Sequence, residues 1–316
     1  MRSIGNLWSH VVDMDNLEEA ARRACCSRKD RAEVEDFLSD KEGKLSCLKE
    51  LLESGWYRSS EYRMFIVNEK GKERLVADLP LYPDRIVHWA VCLVAEGPLN
   101  RKLIDQTFGS RPGTGYHDAV RLVSDYIARD ARIKFVLSVD IRHFFASIDK
   151  QVLKCKLRAV LKDRHLLRLL DAIIDDYRLS GIPIGNRTSP MLANLYLSEI
   201  DHLLKEEHHC HYYVRYMDDI VILGYSKPWL HRIRDVLSGY LEDIGLTMKS
   251  NWQVYPIDSR GTSFLGYRIF SDHVLLKKDT KSRMKRAAGR IAERLEDPDY
   301  VMDRHDLGVV NSYHGC

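Results

Sequence analysis

Apolar residues recur at helical spacing through the first part of the chain. In "KLSCLKELLES" (44–54), Leu45, Leu48, Leu51 and Leu52 fall on one face, and Gly55 stops the run. Ahead of it, "DNLEEAARRACC" sets Asp15 and Glu18 at capping-box spacing, which predicts a helix start. The pattern then changes: "YRMFIVNEKGKERLVAD" (62–78) reads as a β-hairpin turning near Gly71. Helices are predicted over 83–96 and 116–129, and "IKFVLSVDI" (133–141) is a short apolar strand that closes on a carboxylate. Two more helices follow at 149–161 and 164–178. In "TSPMLANLYLSEIDHLL", Ser189 reads as N-cap and Pro190 as N1, with Leu192, Leu195, Tyr196, Ile200 and Leu203 apolar at helical spacing. "YYVRYMDDIVILG" (212–224) predicts two strands with an acidic pair between or within them. A helix over 228–243 stops near Gly245, strands at 252–257 and 263–269 come next, and a basic helix comes last. Strands and helices alternate without a regular βαβ rhythm, so the fold class is α+β.

Composition adds limits. The 316 residues, 45% hydrophobic and 30% charged, describe a soluble globular chain able to hold one to three domains. No apolar run approaches the roughly 20 residues that span a bilayer. "MRSIGNLWSHVVDMDN" lacks the apolar core of a signal peptide, so no membrane partner is expected. Seven cysteines without paired spacing fit reduced thiols and a cytoplasmic setting. Net charge is only +3, but residues 277–294 hold eight Lys/Arg against two acids. That stretch suits a phosphate backbone and equally suits a solvated helix face.

Candidate chemistry centres on acids that interrupt or end apolar strands: Asp140, and the neighbours Asp218 and Asp219. If the strands adjoin, three carboxylates converge and raise each other's pKa unless cations neutralise them. Hard oxygen ligands suit Mg²⁺, with Mn²⁺ as substitute. Two such ions about 4 Å apart are the clamp of a nucleotidyl transferase. A YxDD alone is weak, because a hairpin turn with solvated acids gives the same letters. Elsewhere, "HHCHYY" (208–213) is contiguous, which suits a structural loop better than a tetrahedral metal site. Cys25–Cys26 reads as helix packing. Trp56, Tyr57 and Tyr62, beside Arg58 and Arg63, read as core cover rather than base-stacking groups. "RPGTG" (111–115) has no Walker pattern.

Six segments in order resemble the blocks of reverse transcriptases, over nearly the whole chain: "GKERLVAD", "SVDIRHFF", "GIPIGNRTSPMLANLYL", "YMDD", "GLTMKSNWQV" and "FLGYRIF". The resemblance implies a right-hand polymerase. Its fingers would hold 1–90 and 149–180, and its palm, an antiparallel sheet flanked by helices, 91–148 and 181–273. A short helical thumb would occupy 274–316, truncated or completed by a partner. It further implies Asp140, Asp218, Asp219 and the Ile141 carbonyl at the metals, and Arg74, with Arg63 and Lys72 as further candidates, at the triphosphate. Phe145 would be the gate against a ribose 2′-hydroxyl. Ile184 and Gly185 would lie at the nascent pair, and Lys249 near the leaving phosphate. Leu265, Gly266 and Tyr267 would grip the primer, and Lys277, Lys278, Lys281, Arg283, Lys285 and Arg286 would track the nucleic-acid backbone. The partners implied are an RNA template, a DNA or RNA primer and dNTPs.

Two departures refine this. Most relatives have glutamine where this chain has Ile184, and losing that polar contact costs about 1–3 kcal/mol of discrimination when a buried partner is left unpaired. The change resembles reverse transcriptases of diversity-generating retroelements, which copy template adenines with errors and work with a small basic accessory protein oligomer. "NLWSHVVDMDNLEEAARRA", "LYPDRIVHWAV" and "SRPGTGYHDAV" are similar to the same group. Ser189–Pro190 departs from that group's Ser-Gln and resembles group II intron enzymes instead. Two alternatives follow: a stand-alone antiphage reverse transcriptase templated by a bound non-coding RNA, and a catalytically silent RNA-binding scaffold.

Overall fold

The structure, a computed structural model, describes residues 5–26, 31–69, 71–297 and 300–314. The predicted hairpin is β1 (Arg63–Glu69) and β2 (Lys72–Asp78), antiparallel throughout. Its turn uses Gly71 at φ 76°, whose amide donates to Asn68 Oδ1 at 3.1 Å. The central sheet is built from β3 (Thr107–Phe108), β4 (Phe135–Asp140), β5 (Tyr213–Tyr216), β6 (Asp219–Gly224) and β7 (Gln253–Pro256). Their order is β3-β5-β6-β4-β7, antiparallel except for the β3–β5 edge pair, which is parallel.

Alternation along the strands divides the core between two faces. Leu137, Val139, Ile220 and Ile222 join the large cluster beneath the helices. Val136, Val214, Val221 and Leu223 join a second cluster with Ala119, Val123 and Ile127 of helix Tyr116–Arg129. A sheet buried on both faces explains the unbroken apolar run "IVIL". The second cluster continues into a small antiparallel sheet of β8 (Thr262–Phe264), β9 (Tyr267–Ile269) and β10 (Val274–Leu276), through Phe264, Tyr267 and Ile269.

Several local expectations shift. The strand expected over 263–269 is a hairpin, because Leu265 (φ 46°) and Gly266 (φ 88°) turn the chain back on itself. Asp13, not Asp15, caps the helix Met14–Cys26: its Oδ1 accepts from the Asp15 amide at 3.0 Å. The leucine-rich helix runs Lys41–Glu53, started by Asp40, and Leu51 is only half-buried on it. Ser189 is the first residue of helix Ser189–Tyr196 rather than its cap; Thr188 precedes it, with its hydroxyl 2.9 Å from His88 Nδ1. The helix expected at 83–96 runs Ile86–Asn100 after a wider turn, Leu81–Arg85. Helix Arg304–His314 follows the basic helix Lys278–Leu295, joined to it by Arg294–Asp306 at 2.8 Å. Among the described residues, no helix is long and apolar enough to cross a membrane.

Candidate functional site

Antiparallel pairing of β4 with β6 sets Asp140 directly opposite Asp219, which also pairs with Tyr216 of β5. Asp218 sits in the turn between β5 and β6, behind Met217 at φ 54°. The strand ends thus bring the three predicted carboxylates together. Burial, reinforced by Asp140, raises the pKa of Asp218. Burial, Asp218 and Asp140 push Asp219 up to about 6.

The left-handed turn is fixed from inside the core by Arg215, which is fully buried. Its Nη1 donates to the Met217 carbonyl at 2.9 Å and to Asn194 Oδ1 at 3.1 Å, and its Nε donates to Asp201 Oδ1 at 2.7 Å. Asp201 also accepts from Tyr213 and Thr107, and the Asn194 amide holds the Gly109 carbonyl at 2.9 Å. Gly109 (φ 87°) lies against the turn: a Cβ there would meet Met217 Cγ at 3.1 Å. Sequence reasoning missed this knot. Its only signal was an arginine inside an otherwise apolar strand, "YYVRY", with no partner nearby in the chain.

Lys249 reaches the site through an isolated bridge between Ile141 and Met248. The Lys249 amide donates to the Asp140 carbonyl at 2.9 Å and the Arg142 amide to the Thr247 carbonyl at 2.8 Å, so these bonds leave the Ile141 carbonyl out. The Lys249 ammonium pairs with Asp140 Oδ2, while Asp140 Oδ1 is buried with no hydrogen-bond partner. Among the described residues, no three His, Cys, Asp or Glu side chains form a ready metal-binding group.

The loop 181–188 joins this site to the hairpin. Gly181 (φ 73°) passes so close to the chain that a Cβ would lie 2.1 Å from the Phe145 carbonyl, which accepts from the Ile182 amide at 2.9 Å. Ala77 of β2 donates to the Ile184 carbonyl at 2.8 Å, and a Cβ on Gly185 (φ 120°) would lie 2.4 Å from the Ala77 carbonyl. Asn186 then donates to the Tyr62 hydroxyl at 2.8 Å. Phe145 and Ile184, both half-buried, are therefore held on one continuous framework.

On the hairpin, the register puts Arg63 and Arg74 on one face. Arg74 is exposed and its charge lowers the pKa of Asp218. Arg63 lies at the other end of that face, opposite Asp78, in a cavity shared with Arg31 and Glu61. The Lys72 side chain lies outside the described residues. Across the site, the Lys277 amide donates to the Gly266 carbonyl at 2.9 Å, and its charge lowers the pKa of Asp219. Leu265 and Gly266 form the turn itself. Tyr267 is only 7% exposed and lies beneath, its hydroxyl 3.2 Å from His117 Nε2. Lys278, Lys281, Lys285 and Arg286 are exposed on the basic helix, and Arg283 is half-buried 3.9 Å from Asp279.

The remaining candidates separate cleanly. Tyr57 is buried, donating to Asp84 Oδ1 at 2.8 Å, and Tyr62 packs edge-on against Tyr177, but Trp56 is 80% exposed and is not core cover. Cys210 is buried in the histidine-rich loop, its amide bonded to the Leu204 carbonyl at 2.8 Å. Cys25 packs on the core, whereas Cys26 is exposed.

Comparison with known proteins agrees with this geometry. The family described as Reverse transcriptase (RNA-dependent DNA polymerase) matches residues 61–269. Protein YkfC of Escherichia coli is 25% identical over 71% of this chain and 71% of its own length. The group II intron-encoded protein LtrA of Lactococcus lactis is 24% identical over 49% of this chain, which spans only 27% of that protein. Among solved structures, apo telomerase from Candida tropicalis superposes with a TM-score of 0.55 at 12% identity, over 72% of this chain and 50% of its own. The likeness places the α+β architecture in the right-hand polymerase fold. With its three aspartates gathered at the ends of β4 and β6 inside the matched region, the chain belongs to the reverse transcriptase family.

Proposed function

We propose that this chain is an RNA-directed DNA polymerase that makes cDNA with errors at template adenines, within a diversity-generating retroelement (mutagenic retrohoming). A primer 3′-hydroxyl attacks the α-phosphate of a dNTP, the new phosphodiester forms, and pyrophosphate leaves. The observation that carries the reading is Asp140 set opposite Asp219, beside Asp218, with the charges of Arg74, Lys249 and Lys277 acting on these acids.

The donor set suits divalent ions. Asp140 Oδ1 is a buried oxygen without a partner, and burial, with the neighbouring Asp218 and Asp140, raises the pKa of Asp219. Asp140, Asp218, Asp219 and the Ile141 carbonyl would hold two Mg²⁺, or Mn²⁺ in their place. Bound there, such ions would lower the pKa of the attacking hydroxyl and neutralise the leaving oxygen. Arg74, with Arg63 along the same face and Lys72 as a further candidate, draws the triphosphate, and Lys249 supplies a cation beside Asp140. Phe145 crowds the sugar 2′ position, and the Leu265–Gly266 turn, supported from beneath by Tyr267, carries the primer strand together with the basic helix. Ile184 presents hydrocarbon where a polar side chain would check the nascent pair.

On this reading, 1–90 and 149–180 form the fingers, 91–148 and 181–273 the palm, and 274–316 the thumb. A small basic accessory protein oligomer completes a cytoplasmic complex on a structured RNA template. Ser189–Pro190 favours one second reading, a defence enzyme templated by a bound non-coding RNA. A variable repeat with its template copy beside the gene argues for diversification, and their absence for defence. Primer extension on RNA tests the activity: full synthesis by Asp218→Asn overturns it. Sequencing cDNA from co-purified RNA tests the subtype, and errors spread evenly over the four template bases overturn that.

A further inference from the structure

A cavity of about 210 Å³ opens beside the loop that carries Ile184. Gly185 and Arg187 of that loop line it, with Arg23 from helix Met14–Cys26, Arg85 from the turn Leu81–Arg85, and His88 and Trp89 from the following helix. Among the described residues, no acidic side chain lines it. The carboxylates that pair with its arginines stand outside: Glu19 at 2.6 Å from Arg23, Glu96 at 2.6 Å from Arg187, and Asp78 with Arg85. The guanidiniums of Arg23 and Arg187, each with one edge on a carboxylate, keep N–H groups on another. Both Arg23 and Arg187 lie over the Trp89 ring, 5.6 and 4.4 Å from its centroid.

His88 supplies an independent sign of a ligand. It is 1% exposed, and its Nε2 has no hydrogen-bond partner, a condition rare for a buried ring nitrogen. Burial pushes its pKa down to about 3, so the ring is neutral. Its Nδ1 lies 2.9 Å from the Thr188 hydroxyl, so Nε2 is the ring nitrogen left without a partner. Guanidinium groups and the absence of a lining acid among the described residues select a phosphate group.

We propose that this cavity binds a backbone phosphate of the template strand ahead of the templating base, and so fixes the template beside Ile184. The inference rests on the polymerase reading. A nucleotide triphosphate carries the same chemistry, so the test separates the two sources.

Fluorescence anisotropy would compare a blunt primer–template duplex with one bearing a short single-stranded 5′ template extension. The proteins are the wild type, Arg23→Gln and Arg187→Gln, with circular dichroism confirming their folds. The expected result is that the extension tightens wild-type binding roughly tenfold. Either substitution, or neutral methylphosphonate linkages in the extension, removes most of that gain and leaves blunt-duplex binding unchanged. An equal gain in all three proteins, or one indifferent to methylphosphonates, overturns the inference. An unchanged gain with weakened dNTP binding assigns the cavity to the nucleotide and also overturns it. Failure of the wild type to bind either duplex overturns the polymerase reading itself, and this inference with it.

Discussion

Lys249 holds Asp140 twice, its amide donating to the Asp140 carbonyl at 2.9 Å and its ammonium pairing with the Asp140 carboxylate. The first bond fixes the register of the chain after β4. The second places a cation on a carboxylate of the proposed metal site, where an incoming ion would compete with it. Removing the ammonium should lower the melting temperature in EDTA and tighten Mg²⁺ binding about tenfold, equivalent to roughly 1.4 kcal/mol. Thermal melts of wild type and Lys249→Met across a Mg²⁺ titration check this. Parallel titration curves for the two proteins would sink the competition argument.

Arg215 and Asp201 are both fully buried and paired, and the arginine also holds the Met217 carbonyl. Removing one member leaves the other as an uncompensated buried charge, at a cost of about 3–5 kcal/mol. Arg215→Met should therefore destabilise the fold strongly in chemical denaturation. The double change Arg215→Met with Asp201→Leu should recover part of the loss, because no isolated charge remains. If the double variant is as unstable as the sum of both single variants, the ion pair is not the source of the effect.

Asp163 ties together two helices far apart in sequence. Its carboxylate accepts from the amides of Leu7 and Trp8 at 2.8 and 2.9 Å, and from those of His165 and Leu166 at 3.1 and 3.2 Å. Burial acts to raise its pKa, but these N–H donors outweigh it and hold the group below its ordinary 3.8. The folded value is the lower one, so the contribution is complete above 3.8 and is lost as pH falls through the folded pKa. Asp163→Asn should cost about 1 kcal/mol at neutral pH. That deficit should vanish in acid, where the wild-type carboxyl is protonated too; denaturation of both proteins at neutral and acid pH reads it directly.

Much of this was legible because local patterns and tertiary packing agree. The hairpin, the helix Tyr116–Arg129 and the strands bearing Asp140 and Asp219 follow from periodicity, and register then brings the acids together. What stayed hidden depends on distance in sequence. The Asp201–Arg215 pair gives no local signal, and β3 is two residues long, formed only because Arg215 and Tyr216 offer an edge. Leu265 and Gly266 read as part of an apolar strand, because the positive φ that makes them a turn is not written in residue type for leucine. Trp56 reads as core by its size, yet it follows the helix-ending Gly55 and projects into solvent.

Ile184 is the residue where sequence and geometry combine most usefully. Its carbonyl is bonded to the Ala77 amide, and its neighbour Gly185 adopts a backbone that a side chain would obstruct. The main chain there is set by β2 and does not depend on which side chain Ile184 carries. Ile184→Gln should therefore keep the loop in place and add only a donor and an acceptor at the proposed site of the nascent pair. A polar contact of that kind is worth about 1–3 kcal/mol of discrimination, or roughly 5- to 150-fold in error frequency. The expected outcome is fewer misincorporations opposite template adenine, with little change opposite the other bases and an unaltered melting temperature. Deep sequencing of cDNA made from one RNA template by both proteins measures this, and an unchanged error spectrum would overturn the proposed role of Ile184.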